Sequence, residues 1–289
     1  MYLSKYVHDM EKFSMSFFEK IVMCLQAEME TPALYGAFHI MFALLTIACS
    51  AFLIWKFHDA DEKTTRRILL GTWIAIAVLE IYKQIVFSMD VSDGVATWSY
   101  TWYAFPFQFC SSPLYVLPFA ALLKEGRAKD ATMSFLSTFA LFGGLVVMIY
   151  PGDVFIGMIG INIQTMVHHG SQVVIGLFLA ARNRHRFSFK FFLMGIIPFA
   201  ILSAIAMGLN EVVHVFLTNK GLTDTFNMFF ISRHHDCTLP VLSSIAPKLP
   251  YPAFLMVYLL GFVLAAGAIF GLEAGGICLA KRRSRGTEA

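Results

Sequence analysis

Cys110 is the residue of this chain best suited to covalent chemistry. A thiolate is a strong nucleophile, an imidazole can take the proton of a thiol, and a carboxylate can orient that imidazole. The adjacent His168 and His169 supply the imidazoles, and Glu80 or Glu211 supplies the carboxylate. These residue types predict acyl transfer through a cysteine acyl-enzyme, with one of the two histidines as the base.

Further polar residues can contact a substrate or stabilise an oxyanion. Gln108, Lys83 and Asn162 offer hydrogen-bond donors for a developing negative charge. The remaining candidates are Gln164, Asn210, Glu211, His214 and Asn227. A purely structural interpretation competes with this one. A lone cysteine in an apolar segment is usually a small core residue, and Glu80 with Lys83 has the i,i+3 spacing of a neutralised ion pair.

The segment around Cys110 is apolar enough to enter a membrane, but prolines and polar side chains interrupt it. Pro113 has no N–H, so a helix here loses the hydrogen bond to the carbonyl of Phe109. A freed backbone acceptor inside a bilayer needs a partner within the protein. The segment is therefore predicted to face a polar pocket rather than lipid.

The composition indicates an integral membrane protein. Of the 289 residues, 57% are hydrophobic and 14% are charged, whereas soluble domains have about 25% charged residues. The net charge of +3, with basic residues confined to short loops, gives no indication of nucleic-acid binding. The five cysteines have no repeated spacing that would suggest a disulfide framework, and no cleavable signal peptide is evident.

Seven apolar segments have the length of about 20 residues that a membrane-spanning helix needs. The predicted spans cover residues 34–55, 68–89, 103–123, 131–150, 159–181, 190–217 and 252–273. Lys and Arg cluster in alternate connections, whereas loops 90–102 and 151–158 have neither. The positive-inside rule then places the N-terminus outside and the C-terminus in the cytoplasm. The predicted fold is an all-α polytopic membrane protein with seven transmembrane helices.

An amphipathic helix at the membrane interface is predicted before the first span, because Phe17, Ile21 and Leu25 recur every four residues. The predicted divisions are this interfacial helix over 1–31, a transmembrane domain over 32–275 with an external capping loop at 218–250, and a basic cytoplasmic tail over 276–289.

This topology brings polar side chains from four spans to a similar depth. At 1.5 Å per residue, Glu80, Cys110 and His168 lie roughly 5–15 Å from the external boundary, and Asn210 and His214 lie near the same boundary. Ionisable groups inside a membrane cost a few kcal/mol each, so they mark a functional site or a structural pair. Phospholipid ester carbonyls lie near this depth, which predicts membrane phospholipids or lysophospholipids as the partners.

Several short motifs resemble those of a known family. They are Glu80-Ile-Tyr-Lys83, Pro106-Phe-Gln-Phe-Cys110, His168-His169, Asn227-Met-Phe-Phe, Pro240 and Leu249-Pro-Tyr-Pro252. The pattern resembles the YwaF-like integral membrane family, whose animal relatives are the transmembrane protein 164 acyltransferases. The resemblance implies a seven-helix fold and phospholipid acyl transfer, with Cys110 as the nucleophile. At Gln108, bacterial members tend to carry a histidine, so the base would be His168 or His169.

Two other functions fit the same sequence. The first is a zinc-dependent membrane hydrolase, although the sequence lacks the H-E-x-x-H motif that is usual in such enzymes. Its candidate ligands are His168, His169, His214, Glu211, His234, His235, Asp236 and Cys237. A transporter or receptor fits seven spans, although no inverted repeat is evident. The acyltransferase needs no cofactor or metal. We expect it in the cell membrane of a bacterium, or in an internal membrane such as the endoplasmic reticulum of a eukaryote.

Overall fold

A computed structural model describes residues 16–92 and 94–286, and most of them are helical. The helices are α1 (Phe17–Leu25), α2 (Ala37–Phe57), α3 (Glu62–Val86), α4 (Pro113–Leu122), α5 (Arg127–Ile149), α6 (Ile159–Arg182), α7 (Phe189–Asn219), α8 (Leu242–Ile245) and α9 (Tyr251–Gly286). A short antiparallel hairpin of β1 (Met89–Ser92) and β2 (Val95–Trp98) departs from the predicted all-α fold. Gly94, at φ +76°, gives the hairpin its tight turn.

Five of the described helices are long and apolar enough to cross a membrane. They are α2, α3, α5, α7 and the part of α9 over Tyr251–Lys281. Their outer faces carry exposed apolar side chains such as Leu44, Ile47 and Leu264, as expected for contact with lipid. The prediction of apolar helices at these five positions is confirmed.

The other two predicted spans differ from simple apolar helices. Residues 103–123 form 3₁₀ turns and the ten-residue α4, because prolines interrupt the segment. At 1.5 Å per residue, α4 is about 15 Å long, which is too short to cross the hydrocarbon alone. Helix α6 has 24 residues, but its many polar side chains lower its hydropathy. Seven spanning helices therefore remain a prediction.

Helix α6 lies at the centre of the bundle. Fifteen of its 24 residues are buried, compared with three of 21 in α2. Helices α2, α3 and α5 pack around it. Helix α5 approaches closely at Gly144, where an added Cβ would lie 2.8 Å from the carbonyl oxygen of His169. The polar side chains of α6 are thus enclosed by protein.

The connections that carry basic residues meet at one end of the molecule. Their ion pairs are Arg182–Glu62, Arg184–Asp59, Arg186–Glu125 and Lys129–Glu62. Lys281 near the end of α9 donates to the carbonyl of Arg184 at 3.3 Å. The loops predicted to be cytoplasmic are therefore joined to one another and to the last helix.

The opposite end holds α1, the hairpin, the α5–α6 connection and the segment between α7 and α9. The Gln26 side chain donates to the carbonyls of Val86 and Met89, at 3.0 and 2.7 Å. The Met29 N–H donates to the carbonyl of Gly157 at 2.9 Å. Within the region 1–31, where an interfacial helix is predicted, the structure shows α1. Residues 1–15 lie outside the described part. The place of α1 at a membrane interface stays a prediction.

Candidate active site

Cys110 lies in the 3₁₀ turn Phe109–Ser111, directly before α4. Pro113 occupies the first position of α4, where a missing N–H does not weaken the helix. The carbonyl of Phe109, which needs another partner because Pro113 has no N–H, accepts from the N–H of Ser112 at 3.1 Å. The predicted polar contacts are found one residue further along, at the carbonyl of Cys110.

Two side chains of α6 donate to the backbone carbonyl of Cys110. The Nε2 atom of His168 is 2.9 Å from this oxygen, and the Nε2 atom of Gln172 is 2.7 Å from it. The two residues are four apart and share one face of the helix. Because a carbonyl only accepts, His168 carries its proton on Nε2 and keeps a free lone pair on Nδ1.

His169 lies beside His168, with the ring centroids 5.4 Å apart. Its Nδ1 atom donates to the carbonyl of Thr165 at 2.7 Å, so its lone pair is on Nε2. Among the described residues, neither imidazole is hydrogen-bonded to the thiol of Cys110. Backbone carbonyls hold both rings, in place of the Glu80 carboxylate that the predicted triad would use.

Several buried polar atoms around Cys110 have no hydrogen-bond partner within the described residues. They are Ser112 Oγ, His168 Nδ1, His169 Nε2 and Gln172 Oε1. Each of these residues is less than 7% exposed. Leaving one such atom unpaired costs roughly 1–3 kcal/mol. A cluster of them therefore indicates a place where water or a ligand completes the hydrogen bonding.

Glu80 and Lys83 form the predicted ion pair on α3, with the ammonium 2.8 Å from a carboxylate oxygen. Gln84 donates to Glu80 at 2.7 Å, and Gln164 of α6 donates to it at 3.4 Å. Glu80 is buried, and its carboxylate balances the ammonium of Lys83 inside the bundle.

Gln108 and Asn210 bind the backbone of the segment that follows α7. Gln108 donates to the carbonyl of Asn227 at 3.0 Å and accepts from the N–H of Phe229 at 2.9 Å. Asn210 donates to the carbonyl of Met228 at 3.0 Å and accepts from its N–H at 2.7 Å. The Asn227 side chain bonds within the same segment. The amides of Gln108 and Asn210 therefore hold this segment next to the Cys110 turn.

Three other predicted site residues contact different parts of the molecule. Asn162 binds the backbone of the α5–α6 connection, at 2.6 and 2.9 Å. Glu211 pairs with Arg233 at 2.6 Å, and His214 pairs with Asp224 at 2.7 Å. The polar residues predicted at one depth thus divide into the Cys110 site and separate contacts with the loops.

Asp224 is the centre of a histidine–carboxylate cluster at the end of α7. One of its oxygens lies 2.7 Å from His214 Nδ1 and 3.1 Å from His235 Nε2. The ring of His214 also stacks on His234, at 3.6 Å between centroids. Burial raises the pKa of Asp224, but hydrogen bonds from the Phe226 N–H and the histidines outweigh it and hold the pKa below the usual value. The ionised carboxylate fastens the loop to α7.

The zinc-hydrolase alternative requires several donor atoms to converge. Across residues 16–92 and 94–286, no group of three or more His, Cys, Asp or Glu side chains has the geometry to hold a metal ion. His168 and His169 bind backbone carbonyls, while His214 and His234 bind carboxylates near the end of α7. The donor geometry therefore gives this alternative no support.

The predicted site residues omit two side chains that the structure brings to this region. Gln172 has a signal in the sequence, because it continues the row of Gln164 and His168 at four-residue spacing. Tyr258 has none, since it lies in an apolar run of α9. The ring of Tyr258 stacks on Phe262, which contacts Phe109 beside Cys110, a relation that only the folded chain reveals.

The apolar helices, and the polar side chains that they enclose, define an integral membrane protein. Residues 34–272 match the family model described as the TMEM164 family, and the chain belongs to this family. The predicted relation to the transmembrane protein 164 group is thereby confirmed. No curated protein and no solved structure matches the chain.

Proposed function

We propose that this protein is a membrane acyltransferase that moves an acyl chain between phospholipids through a thioester on Cys110. The observation that carries the proposal is the 2.9 Å hydrogen bond from His168 Nε2 to the carbonyl of Cys110. It fixes the imidazole next to the cysteine and leaves Nδ1 buried, unprotonated and without a partner among the described residues. An imidazole in this state can act as the base for a thiol.

The first half-reaction forms the acyl-enzyme. The sulfur of Cys110 attacks the carbonyl carbon of a phospholipid ester, and the thiol proton passes to His168. The ester C–O bond then breaks, and the leaving lysophospholipid alkoxide takes the proton from His168. The acyl chain remains on the sulfur as a thioester.

The second half-reaction returns the thiol. The hydroxyl of a different lysophospholipid gives its proton to His168 and attacks the thioester carbonyl. The C–S bond breaks, and the sulfur takes the proton back from the imidazole. One ester is consumed and one is formed, so the cycle needs neither an oxidant nor a cofactor. The Lys83 ammonium lies 2.8 Å from the Glu80 carboxylate, so its charge is balanced within α3 and the proton transfers are assigned to His168 alone.

The proposed topology has seven passes, with the N-terminus outside and the basic end in the cytoplasm. Helix α6 crosses inside the bundle, and α4 with its preceding turns forms a broken span whose free backbone groups face protein. The ion pairs that join the basic connections at one end support this orientation. Cys110 then lies in the outer half of the membrane. That membrane is the cell membrane in a bacterium or an internal one in a eukaryote.

The test is transfer of an alkyne-tagged acyl chain from a phospholipid to a lysophospholipid by the purified protein in detergent. We expect Cys110→Ala and Cys110→Ser to abolish transfer. Cys49→Ala is the matched control, because Cys49 is an exposed cysteine on α2, and it should keep full activity. Continued transfer by a folded Cys110→Ala variant would overturn the proposal.

A further inference from the structure

Tyr258 of α9 is fully buried, yet its hydroxyl has no hydrogen-bond partner in the part of the chain that the structure describes. Other tyrosines have such a partner. The hydroxyls of Tyr82, Tyr115 and Tyr251 donate to backbone carbonyls at 2.6, 2.6 and 2.9 Å. Phenylalanine would fill the same space without burying an unpaired hydroxyl. Packing alone therefore does not explain a tyrosine at this position.

The ring of Tyr258 is linked to the Cys110 turn by aromatic packing. It stacks on Phe262 with the centroids 4.5 Å apart, and Phe262 contacts Phe109 at 4.7 Å. Phe109 immediately precedes Cys110 in the 3₁₀ turn. An unpaired donor thus lies in the same region as the thiol proposed to react.

The unpaired atoms of this region differ in what they can bind. His168 Nδ1, His169 Nε2 and Gln172 Oε1 are acceptors, whereas the hydroxyls of Ser112 and Tyr258 can donate. An ester carbonyl that is attacked by sulfur develops negative charge on its oxygen and needs a donor. The amide of Gln108, predicted for this role from the sequence, is occupied by the backbone of Asn227 and Phe229.

We propose that Tyr258 is a catalytic residue whose hydroxyl donates a hydrogen bond to the carbonyl oxygen of the transferred acyl group. This inference rests on the proposed acyl transfer. As the sulfur of Cys110 bonds to the carbonyl carbon, the π electrons move to the oxygen and the hydrogen bond from the phenol strengthens. The phenol keeps its proton. When the intermediate collapses, the electron pair re-forms the carbonyl and the alkoxide leaves.

The experiment compares two reactions of the same thiol in the intact chain. One is single-turnover acylation of Cys110 by a phospholipid with an alkyne-tagged chain, and the other is alkylation by iodoacetamide. Tyr258→Phe should slow acylation by about 100-fold or more, the effect of removing one oxyanion donor. Alkylation should proceed at the wild-type rate, because displacement of iodide builds no charge on a carbonyl oxygen. The unfolding midpoint should not fall, because the hydroxyl has no partner to lose.

Tyr251→Phe is the matched control on the same helix, because it removes a hydroxyl that donates to the carbonyl of Ile231. The unfolding midpoint of Tyr251→Phe should fall, while its rates of acylation and alkylation stay within about twofold of wild type. Equal acylation of wild type and Tyr258→Phe would overturn the role of Tyr258 and leave the proposed function standing. If Tyr258→Phe slowed acylation and alkylation to the same extent, the role of Tyr258 would likewise be overturned and the proposed function would stand. No acylation of the wild-type protein would overturn the proposed function and this inference together.

Discussion

The ring of His168 combines a structural and a chemical role. Its Nε2–H holds the carbonyl of Cys110, and its Nδ1 carries the lone pair that can accept a proton. The two roles separate on substitution, because a glutamine amide can donate to the carbonyl but has no basic nitrogen. The neighbouring Gln172 already holds the same oxygen with such an amide.

Replacing His168 by glutamine tests which role matters for turnover. We expect His168→Gln to lower the transfer rate by at least about 100-fold, the contribution of a general base. The unfolding midpoint in detergent should change little, because the hydrogen bond to Cys110 is retained. Gln172→Leu is the control, because this substitution removes a hydrogen-bond donor to the carbonyl of Cys110 and leaves the basic nitrogen of His168 in place. A His168→Gln variant that transfers acyl chains at the wild-type rate would show that His168 is not the base.

Residue types of the site can be predicted from the sequence, but their hydrogen bonds cannot. The four-residue spacing in α6 indicates the face that carries His168, because helical periodicity is a local property. Its acceptor is the carbonyl of Cys110, 58 residues earlier, and the partner of Gln108 at Asn227 is 119 residues later. Such contacts depend on the packing of the whole bundle.

Among the helices, lipid-facing α2 is almost wholly apolar, whereas α6 at the centre of the bundle carries several of the polar residues. Helices such as α2 are apolar because few of their residues are covered by protein. Helix α6 is enclosed by its neighbours, so it can carry polar residues that a lipid-facing helix cannot. The same logic explains why the prolines before α4 are tolerated, since the freed backbone groups find partners inside the bundle.

The close packing of α5 against α6 depends on Gly144. A Cβ at this position would lie 2.7 Å from the Cβ of Gln172 and 2.8 Å from the carbonyl oxygen of His169. We expect Gly144→Ala to destabilise the protein by about 1–3 kcal/mol, as overpacking does, and to slow acyl transfer. Thermal unfolding in detergent measures the first effect. Gly71→Ala on α3, where the added Cβ meets no described atom within 4 Å, should leave both quantities unchanged.

At the scale of the whole molecule, contacts of carboxylates with basic or histidine side chains fasten both ends of the bundle. The basic connections pair with acids at one end, and the segment after α7 is fastened at the other by Asp224 with His214 and His235. Phe226 and Phe229 of that segment are buried in the core. This part of the segment is therefore fastened to the bundle by histidine–carboxylate contacts that the sequence alone does not reveal, and an external cap over 218–250 stays a prediction.

The stability supplied by Asp224 should depend on pH. Because its pKa is lowered in the folded protein, its contribution is present above the ordinary value of 3.8 and is lost as the pH falls through the folded-state pKa. We expect wild type to unfold at a higher temperature than Asp224→Asn near neutral pH, with the difference shrinking as the pH falls below about 4 and vanishing only below the folded-state pKa. Asp236→Asn, an exposed position in the same segment, is the control. A difference that is constant with pH would contradict this role.

Mass spectrometry of the Cys110 peptide tests the proposed acyl-enzyme most directly. The purified protein is incubated with phospholipid in the absence of an acceptor lysophospholipid, so that the thioester cannot be discharged to a lipid. We predict an acyl adduct on the peptide that contains Cys110, removed by neutral hydroxylamine, present in Cys49→Ala and absent in Cys110→Ala. An unmodified Cys110 in a preparation that transfers acyl chains once the acceptor is added would contradict the account.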